Sequence, residues 1–257
     1  MEKIYKHFLK ISSNYRNIRT TDLEPILFFK QKLKNYKKIK SADVGCGAGR
    51  YDLSLFQNFG NKLHVTCIDV NEGMLKNLKE YLNKNKIKHF KIIKSSSGDL
   101  KLKSASLDCV FTFNAVHHFN LYQFINECLR VLKNKGNLFI YTRTRSQNKR
   151  NIWGEYFPLF YQKETRLYEL NEFKKAFERY GNLTLQSIEL FKYRRISSLN
   201  QLINKAKHKH YSTFNLYTKK EFGDSLSKFK KNIKRNFEDP KNITWYDENV
   251  LLHLKKK

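Results

Sequence analysis

The chain has 257 residues, 40% of them hydrophobic, and carries 51 Lys and Arg against 23 Asp and Glu, a net charge of +28. That is room for a real buried core, while no run of about 18 apolar residues occurs and the amino end lacks the apolar core and cleavage site of a signal peptide. The four cysteines, Cys46, Cys67, Cys109 and Cys128, form no CxxC pair, so they read as core thiols of a cytoplasmic protein and not as a disulfide frame or a metal site.

Residues 41–144 alternate strand and helix signals. "SADVG" (41–45) is a short apolar run that ends in glycine, and "YDLSLFQNF" (51–59) has apolar residues at helical spacing. "KLHVTCIDV" (62–70) is β-rich, and "EGMLKNLKEYLNKNK" (72–86) is an amphipathic helix with its lysines outward. "HFKIIKS" (89–95) and "LDCVFTFNAV" (107–116) are strands, the second apolar enough to be buried on both faces. "LYQFINECLRVLKNKG" (121–136) reads as a helix with a glycine stop, and "NLFIYTRT" (137–144) as a fifth strand. The alternation predicts an α/β fold, a doubly wound and mostly parallel sheet covered by helices.

After residue 144 the pattern loosens. "NEFKKAFERYG" (171–181) is a helix, "LTLQSIELFKY" (183–193) a strand, and "NITWYDENVLLHLK" (242–255) contains a last strand. Between those strands lies a polar, basic segment, roughly 197–240, with helical spacing in two places. With only 3 prolines and no Gly- or Ser-rich linker, residues 1–257 are expected to form a single domain. Its parts are a helical segment over 1–40, a ligand-binding core over 41–144, and a carboxyl-terminal half over 145–257 with insertions at about 145–168 and 197–240.

"ADVGCGAGRYD" (42–52) is the most informative stretch. Gly45, Gly47 and Gly49 stand at alternate positions after a strand, where bare backbone N–H groups can approach a ligand closely. The dehydrogenase spacing G-x-G-x-x-G would need glycine where Arg50 stands, and no GK[ST] follows to make a P-loop. Asp69 ends the next strand, 20 residues beyond Gly49, where an acid of a doubly wound fold accepts hydrogen bonds from both ribose hydroxyls. Capping the following helix is its other possible role, which Asn71 fills equally well. Together these features imply a nucleoside-containing ligand.

Four blocks in order, "ADVGCGAGRY", "CIDVNEGML", "SLDCVFTFNAVHHF" and "ECLRVLKNKGNLFIYTR", resemble the class I S-adenosylmethionine-dependent methyltransferases, in particular the methyltransferase 11 group that includes ubiquinone/menaquinone C-methyltransferases. The resemblance covers about residues 40–143. It implies a Rossmann-like seven-stranded sheet with the last strand antiparallel, and S-adenosyl-L-methionine as cofactor. Asp43, Gly45, Cys46, Gly47 and Gly49 would lie beside its methionine portion, Asp69 on the ribose, Val70 against the adenine, and Asn114 and Ala115 near the methionine end. The family often has an acid after the third strand for the adenine amino group. Ser96 stands there, with Asp99 three residues on.

Methyl transfer from a sulfonium needs alignment and a dry site more than it needs acid–base help. His117 and His118, directly after the fourth strand, are the candidate bases for an acceptor that must lose a proton; packing or cofactor support is their other reading. The two insertions, with help from the amino-terminal segment, are expected to roof the carboxyl ends of the strands. They are rich in Arg and aromatic side chains: Arg143, Arg145, Trp153, Tyr156, Phe157, Arg166, His208, His210 and Tyr211. Arg143, Arg145, Trp153, Tyr156, His210 and Tyr211 are the candidates for gripping an anionic acceptor; the bland alternative is a solvated helical face with its aromatics packed underneath.

Residues 1–40 and 143–257 supply +22 of the net charge, which suits a polyanion, although an AT-rich genome would enrich lysine in the same way. The leading expectation is a methyltransferase of a small molecule, carboxylated, phosphorylated or lipid-linked. The alternatives are a methyltransferase of RNA, because "FNAVHHF" and "LFIYTRTRSQ" also resemble the enzymes that methylate carboxymethyl-uridine at the tRNA wobble position, and an inactive S-adenosylmethionine-binding module. The sequence gives no indication of oligomeric state.

Overall fold

In the computed structural model, residues 20–257 are described. The expected helical segment over 1–40 therefore lies partly outside the described residues, and its visible part is α1 (Glu24–Lys32). Seven strands follow: β1 (Ile39–Val44), β2 (Leu63–Asp69), β3 (Phe90–Lys94), β4 (Leu107–Phe113), β5 (Leu132–Thr142), β6 (Leu183–Ser197) and β7 (Ile243–Lys256). They form one sheet in the order β3-β2-β1-β4-β5-β7-β6, mostly parallel, with the last strand antiparallel. The strand order reverses between β1 and β4, so the carboxyl ends of β1, β2 and β4 stand side by side where doubly wound sheets bind ligands. Asp43 is in register with Cys67 on one side and Phe111 on the other.

The connecting helices of the amino-terminal half are α2 (Arg50–Phe59), α3 (Glu72–Lys84) and α4 (Leu121–Val131). Asn71 caps α3, its side chain accepting from the Met74 N–H at 3.0 Å, so the capping role does not fall to Asp69. Phe29 of α1 is fully buried against Phe139 and Phe111, ring centroids 4.6 and 5.1 Å away, which seals one face of the sheet with aromatic packing.

One boundary differs from the sequence expectation. The apolar spacing predicts a helix as far as Gly136, but α4 stops at Val131 and the chain passes at once into β5. Leu132 is already extended and fully buried, paired with Leu107, while the next pair is Cys109 with Asn137. Residues 133–136 are thus looped out opposite Asp108, whose carboxylate receives Lys133 at 2.6 Å. Gly136 belongs to this bulge and is not a helix stop. A Cβ there would come within 2.8 Å of the Lys133 carbonyl oxygen. Gly136→Ala is expected to lower stability by about 1–3 kcal/mol, read as a fall in the urea midpoint without a change of slope.

The carboxyl-terminal half adds α5 (Arg145–Lys149), α6 (Ile152–Tyr156), α7 (Phe160–Lys163), α8 (Leu170–Glu178), α9 (Leu199–Lys207) and α10 (Lys219–Asn236). The chain groups into two compact units. The larger holds the described residues up to Thr142 together with Asn171–Glu189 and Leu251–Lys257; the smaller holds Arg143–Leu170 and Leu190–Val250. Strands β6 and β7 each pass from one unit to the other.

The smaller unit has its own core. Trp153, 2% exposed, stacks on Phe229 at 5.2 Å and meets Phe214 edge-on at 5.3 Å, with Phe157, Phe160, Leu202 and Ile233 buried around them. Three of its helices start on well-formed caps: Thr144, Ser198 and Thr218 each hold a reciprocal side-chain box with the residue three positions on.

Candidate active site

The site is built from the turns that follow β1, β2 and β4, all within the larger unit. After Val44 the chain must turn sharply into α2, and Gly45, Gly47 and Gly49 all take left-handed backbone, with φ of 75°, 56° and 79°. At Gly45 the missing side chain also makes room for neighbours: a Cβ would fall 2.5 Å from the Ala115 Cβ and 2.9 Å from the Phe119 ring. The glycine turn and the turn after β4 therefore touch.

Asp69 ties the turn to β2. Its Oδ2 accepts the Gly47 N–H at 2.9 Å and its Oδ1 accepts the Asn71 N–H at 2.8 Å. A carboxylate has room for about four acceptor bonds, so each oxygen can still receive a ligand hydroxyl. Burial raises the Asp69 pKa, and the backbone bonds from Asn71 and Gly47 oppose that rise. Val70, next in the chain, is 50% exposed, an apolar surface beside the carboxylate.

After β4, Asn114 adopts φ of 52°, uncommon for a residue with a side chain, while its N–H donates to the Tyr141 carbonyl at 2.7 Å. Ala115 is buried and abuts Gly45. His117 and His118 lie in a single 3₁₀ turn, Val116–His118, partly buried and with ring centroids 4.0 Å apart. In the turn after β3, Ser96 is exposed and its carbonyl accepts the Asp99 N–H at 3.2 Å, while the Asp99 carboxylate is paired with Lys101 at 2.5 Å.

The least expected feature is a cluster of buried acids under the glycine turn. Asp43 is 1% exposed and Asp52, on α2, is 0% exposed. Cys67 connects them: it is the β2 register partner of Asp43 and donates its thiol to Asp52 Oδ1 at 3.2 Å. Burial and then the Asp52 charge push the Asp43 carboxyl well above its ordinary range; burial raises Asp52 to about 6. The same burial raises the thiols of Cys46 and Cys67, which favours the protonated form of each.

Sequence reasoning missed Asp52, although a signal was present: it sits three, four and seven positions before Leu55, Phe56 and Phe59, on the buried stripe of the helix. A carboxylate whose folded pKa is raised costs stability once ionised. That cost is absent below about pH 4 and complete above about pH 6. Asp52→Asn is accordingly expected to become more stabilising, relative to the parent, as pH rises across that window, as urea unfolding at pH 4.5 and 7.5 would show.

The side chains expected to grip an acceptor lie in the smaller unit. Arg143 donates to Asp247 at 2.9 Å, to the Glu248 carbonyl at 3.0 Å and to the Tyr211 hydroxyl at 3.1 Å. Arg145 donates to the Leu167 carbonyl at 3.1 Å. His210 is buried, 5.0 Å from the Trp153 ring, with Nδ1 3.1 Å from the Lys205 carbonyl oxygen. Tyr156 packs edge-on against Phe237 at 5.4 Å. Trp153, the sixth of these residues, is the centre of the core described above.

A doubly wound sheet in this order, with a three-glycine turn locked to an acid at the end of β2, defines a class I methyltransferase-type domain. Residues 42–140 match the family model described as "Methyltransferase domain", of the methyltransferase 11 type. An uncharacterised protein of Methanocaldococcus jannaschii is 27% identical over 136 residues, which cover 53% of this chain and 54% of that protein. A demethylmenaquinone methyltransferase of Listeria welshimeri is 27% identical over 148 residues, covering 53% and 61%. The chain thus spans a little over half the length of these relatives.

Among solved structures, a candidate methyltransferase of Bacillus halodurans superposes with a TM-score of 0.65 at 18% identity, covering 92% of this chain and 99% of that one. A Haemonchus contortus phosphoethanolamine N-methyltransferase, in complex with phosphomonomethylethanolamine and S-adenosylhomocysteine, superposes with a TM-score of 0.56 at 16% identity, covering 91% and 52%. At such identities the likeness concerns the fold. Among the described residues no helix is long and apolar enough to cross a membrane, and no cluster of His, Cys, Asp or Glu has the arrangement of a metal site.

Proposed function

We propose that the chain is an S-adenosylmethionine-dependent methyltransferase acting on a small-molecule acceptor. The observation that carries this reading is the Asp69 carboxylate, fixed by the Gly47 and Asn71 N–H groups at the edge of a turn of three left-handed glycines. It is a preorganised acceptor with spare lone pairs, next to bare backbone and the exposed apolar Val70. Those are the requirements of a ribose, a charged amino-acid end and a flat base. The acids under the turn add a negative field suited to a cationic ligand.

When bound, S-adenosylmethionine would supply a methyl group already activated on sulfur. Asp69 would hold the ribose, Val70 the adenine face, with Ser96 nearby, and the turn from Asp43 through Cys46 to Gly49 the methionine end, closed by Asn114 and Ala115. The protein's further work is to orient the acceptor and exclude water. His117 and His118, at the carboxyl end of β4, would accept a proton where the acceptor atom must lose one.

The test is incubation of the purified protein with methyl-labelled S-adenosylmethionine and an undermethylated extract, followed by separation into RNA, protein, lipid and small-molecule fractions. Label in the small-molecule or lipid fraction is expected. Label in RNA would replace the proposed acceptor class, and label in no fraction would count against transfer.

A further inference from the structure

The Asp43–Asp52 pair asks for a function of its own. Two buried carboxylates meet at Cys67, the β2 register partner of Asp43 and a thiol donor to Asp52, and each keeps one buried oxygen, Asp43 Oδ1 and Asp52 Oδ2, that no N–H or O–H of the described residues reaches. Ionised together they would repel at close range in a poorly screened setting, whereas one proton held between them satisfies both. From β2 come Asp69, also acidic, and the Cys67 thiol; from the glycine turn comes the Cys46 thiol.

From α2 come Arg50 and Tyr51, but the guanidinium lies over the Tyr51 ring at 4.3 Å and donates to the Thr20 carbonyl. Among the described residues, no Lys or Arg side chain donates to either carboxylate. An acidic cluster with no positive partner among the described residues therefore stands directly before the turn on which the ligand is proposed to sit. On a helix face otherwise filled by Tyr51, Leu55, Phe56 and Phe59, a carboxylate is a costly substitute for an apolar side chain.

We propose that Asp43 and Asp52 act as one proton-holding pair that gives up its proton when the cationic methyl donor binds, making Asp52 a determinant of selectivity for the sulfonium donor over its neutral thioether product. This rests on the reading of the site as a donor site. The donor carries one more positive charge than the thioether. Its arrival supplies the counter-charge that the cluster lacks, and the pair's proton leaves to the buffer. Because the free pair holds protons more tightly than the bound one, donor affinity rises with pH while product affinity stays nearly flat.

The test is calorimetric titration of the intact wild-type chain with S-adenosylmethionine and with S-adenosylhomocysteine at pH 7, each in phosphate and in Tris. The difference in heat between buffers counts the protons exchanged. Between about half and one proton is expected to leave per donor bound, and close to none per product. Asp52→Asn is expected to lower the preference for donor over product by about ten-fold, mainly through the donor.

Donor binding without buffer dependence would overturn the proposal while leaving the donor site intact, and needs no variant to show it. An unchanged preference in the variant would do the same. Failure of the wild type to bind either compound would instead remove the donor site, and the proposal with it.

Discussion

Asp69→Ala is expected to lower the affinity for S-adenosylmethionine by about 100-fold or more, the loss of two hydrogen bonds to an ionised acceptor. The protein should remain folded, because Asn71, not Asp69, caps α3 and the strand register around Asp69 is made by the backbone. The variant nonetheless leaves the Gly47 N–H without its acceptor, at a cost of about 1–3 kcal/mol. Asp69→Asn separates the two effects. One carbonyl oxygen remains to receive Gly47 or a single ligand hydroxyl, so stability should recover more than affinity does. Urea unfolding and ligand titration of both variants give the comparison. Full affinity in folded Asp69→Ala would remove the ribose role.

Gly45→Ala is the second large effect. The added Cβ would stand 2.5 Å from the Ala115 Cβ and 2.9 Å from the Phe119 ring, at φ of 75°, where an L-residue is itself disfavoured. Left-handed backbone and overpacking together should cost about 2–4 kcal/mol. The strain falls on the contact between the glycine turn and the turn after β4, so ligand affinity should fall along with the thermal midpoint. Gly223→Ala is the internal control. That glycine lies within α10, where an added Cβ would meet nothing within 4 Å, and alanine there should raise stability by about 0.5–1 kcal/mol. The same chemical change, made at two glycines, is expected to have opposite signs.

Much of this architecture is legible in the sequence because strands of a covered parallel sheet are written as apolar runs. "LHVTCID" and "LDCVFTF" can hardly be anything else, and they form β2 and β4. The glycine turn is legible because three alternate glycines after a strand have few other uses. Asp69 is legible by its distance from them. The end of α4 is not, since the helical spacing of its apolar residues runs on through Leu132; what stops it is the pairing of Leu132 with Leu107, a partner distant in sequence.

The division into two units is hidden for the same reason. The smaller unit is assembled from two separate stretches, and its core joins Trp153 to Phe214 and Phe229 across about sixty and about seventy-five residues that no local pattern links. Asp52 is hidden differently. Its helical position is readable, but only the burial of Asp43 beside it turns a polar residue on an apolar stripe into half of a carboxylate pair.

The fold alone does not decide chemistry, because the acceptor side of such proteins differs while the sheet is shared. The claim on which everything else depends is that the turn between β1 and α2 holds S-adenosylmethionine. Equilibrium dialysis of the purified chain against labelled S-adenosylmethionine, with S-adenosylhomocysteine and NAD as competitors, tests it most directly. Saturable binding of about one ligand per chain, displaced by S-adenosylhomocysteine and not by NAD, is expected. No saturable binding, or displacement by NAD at equal concentration, would contradict it.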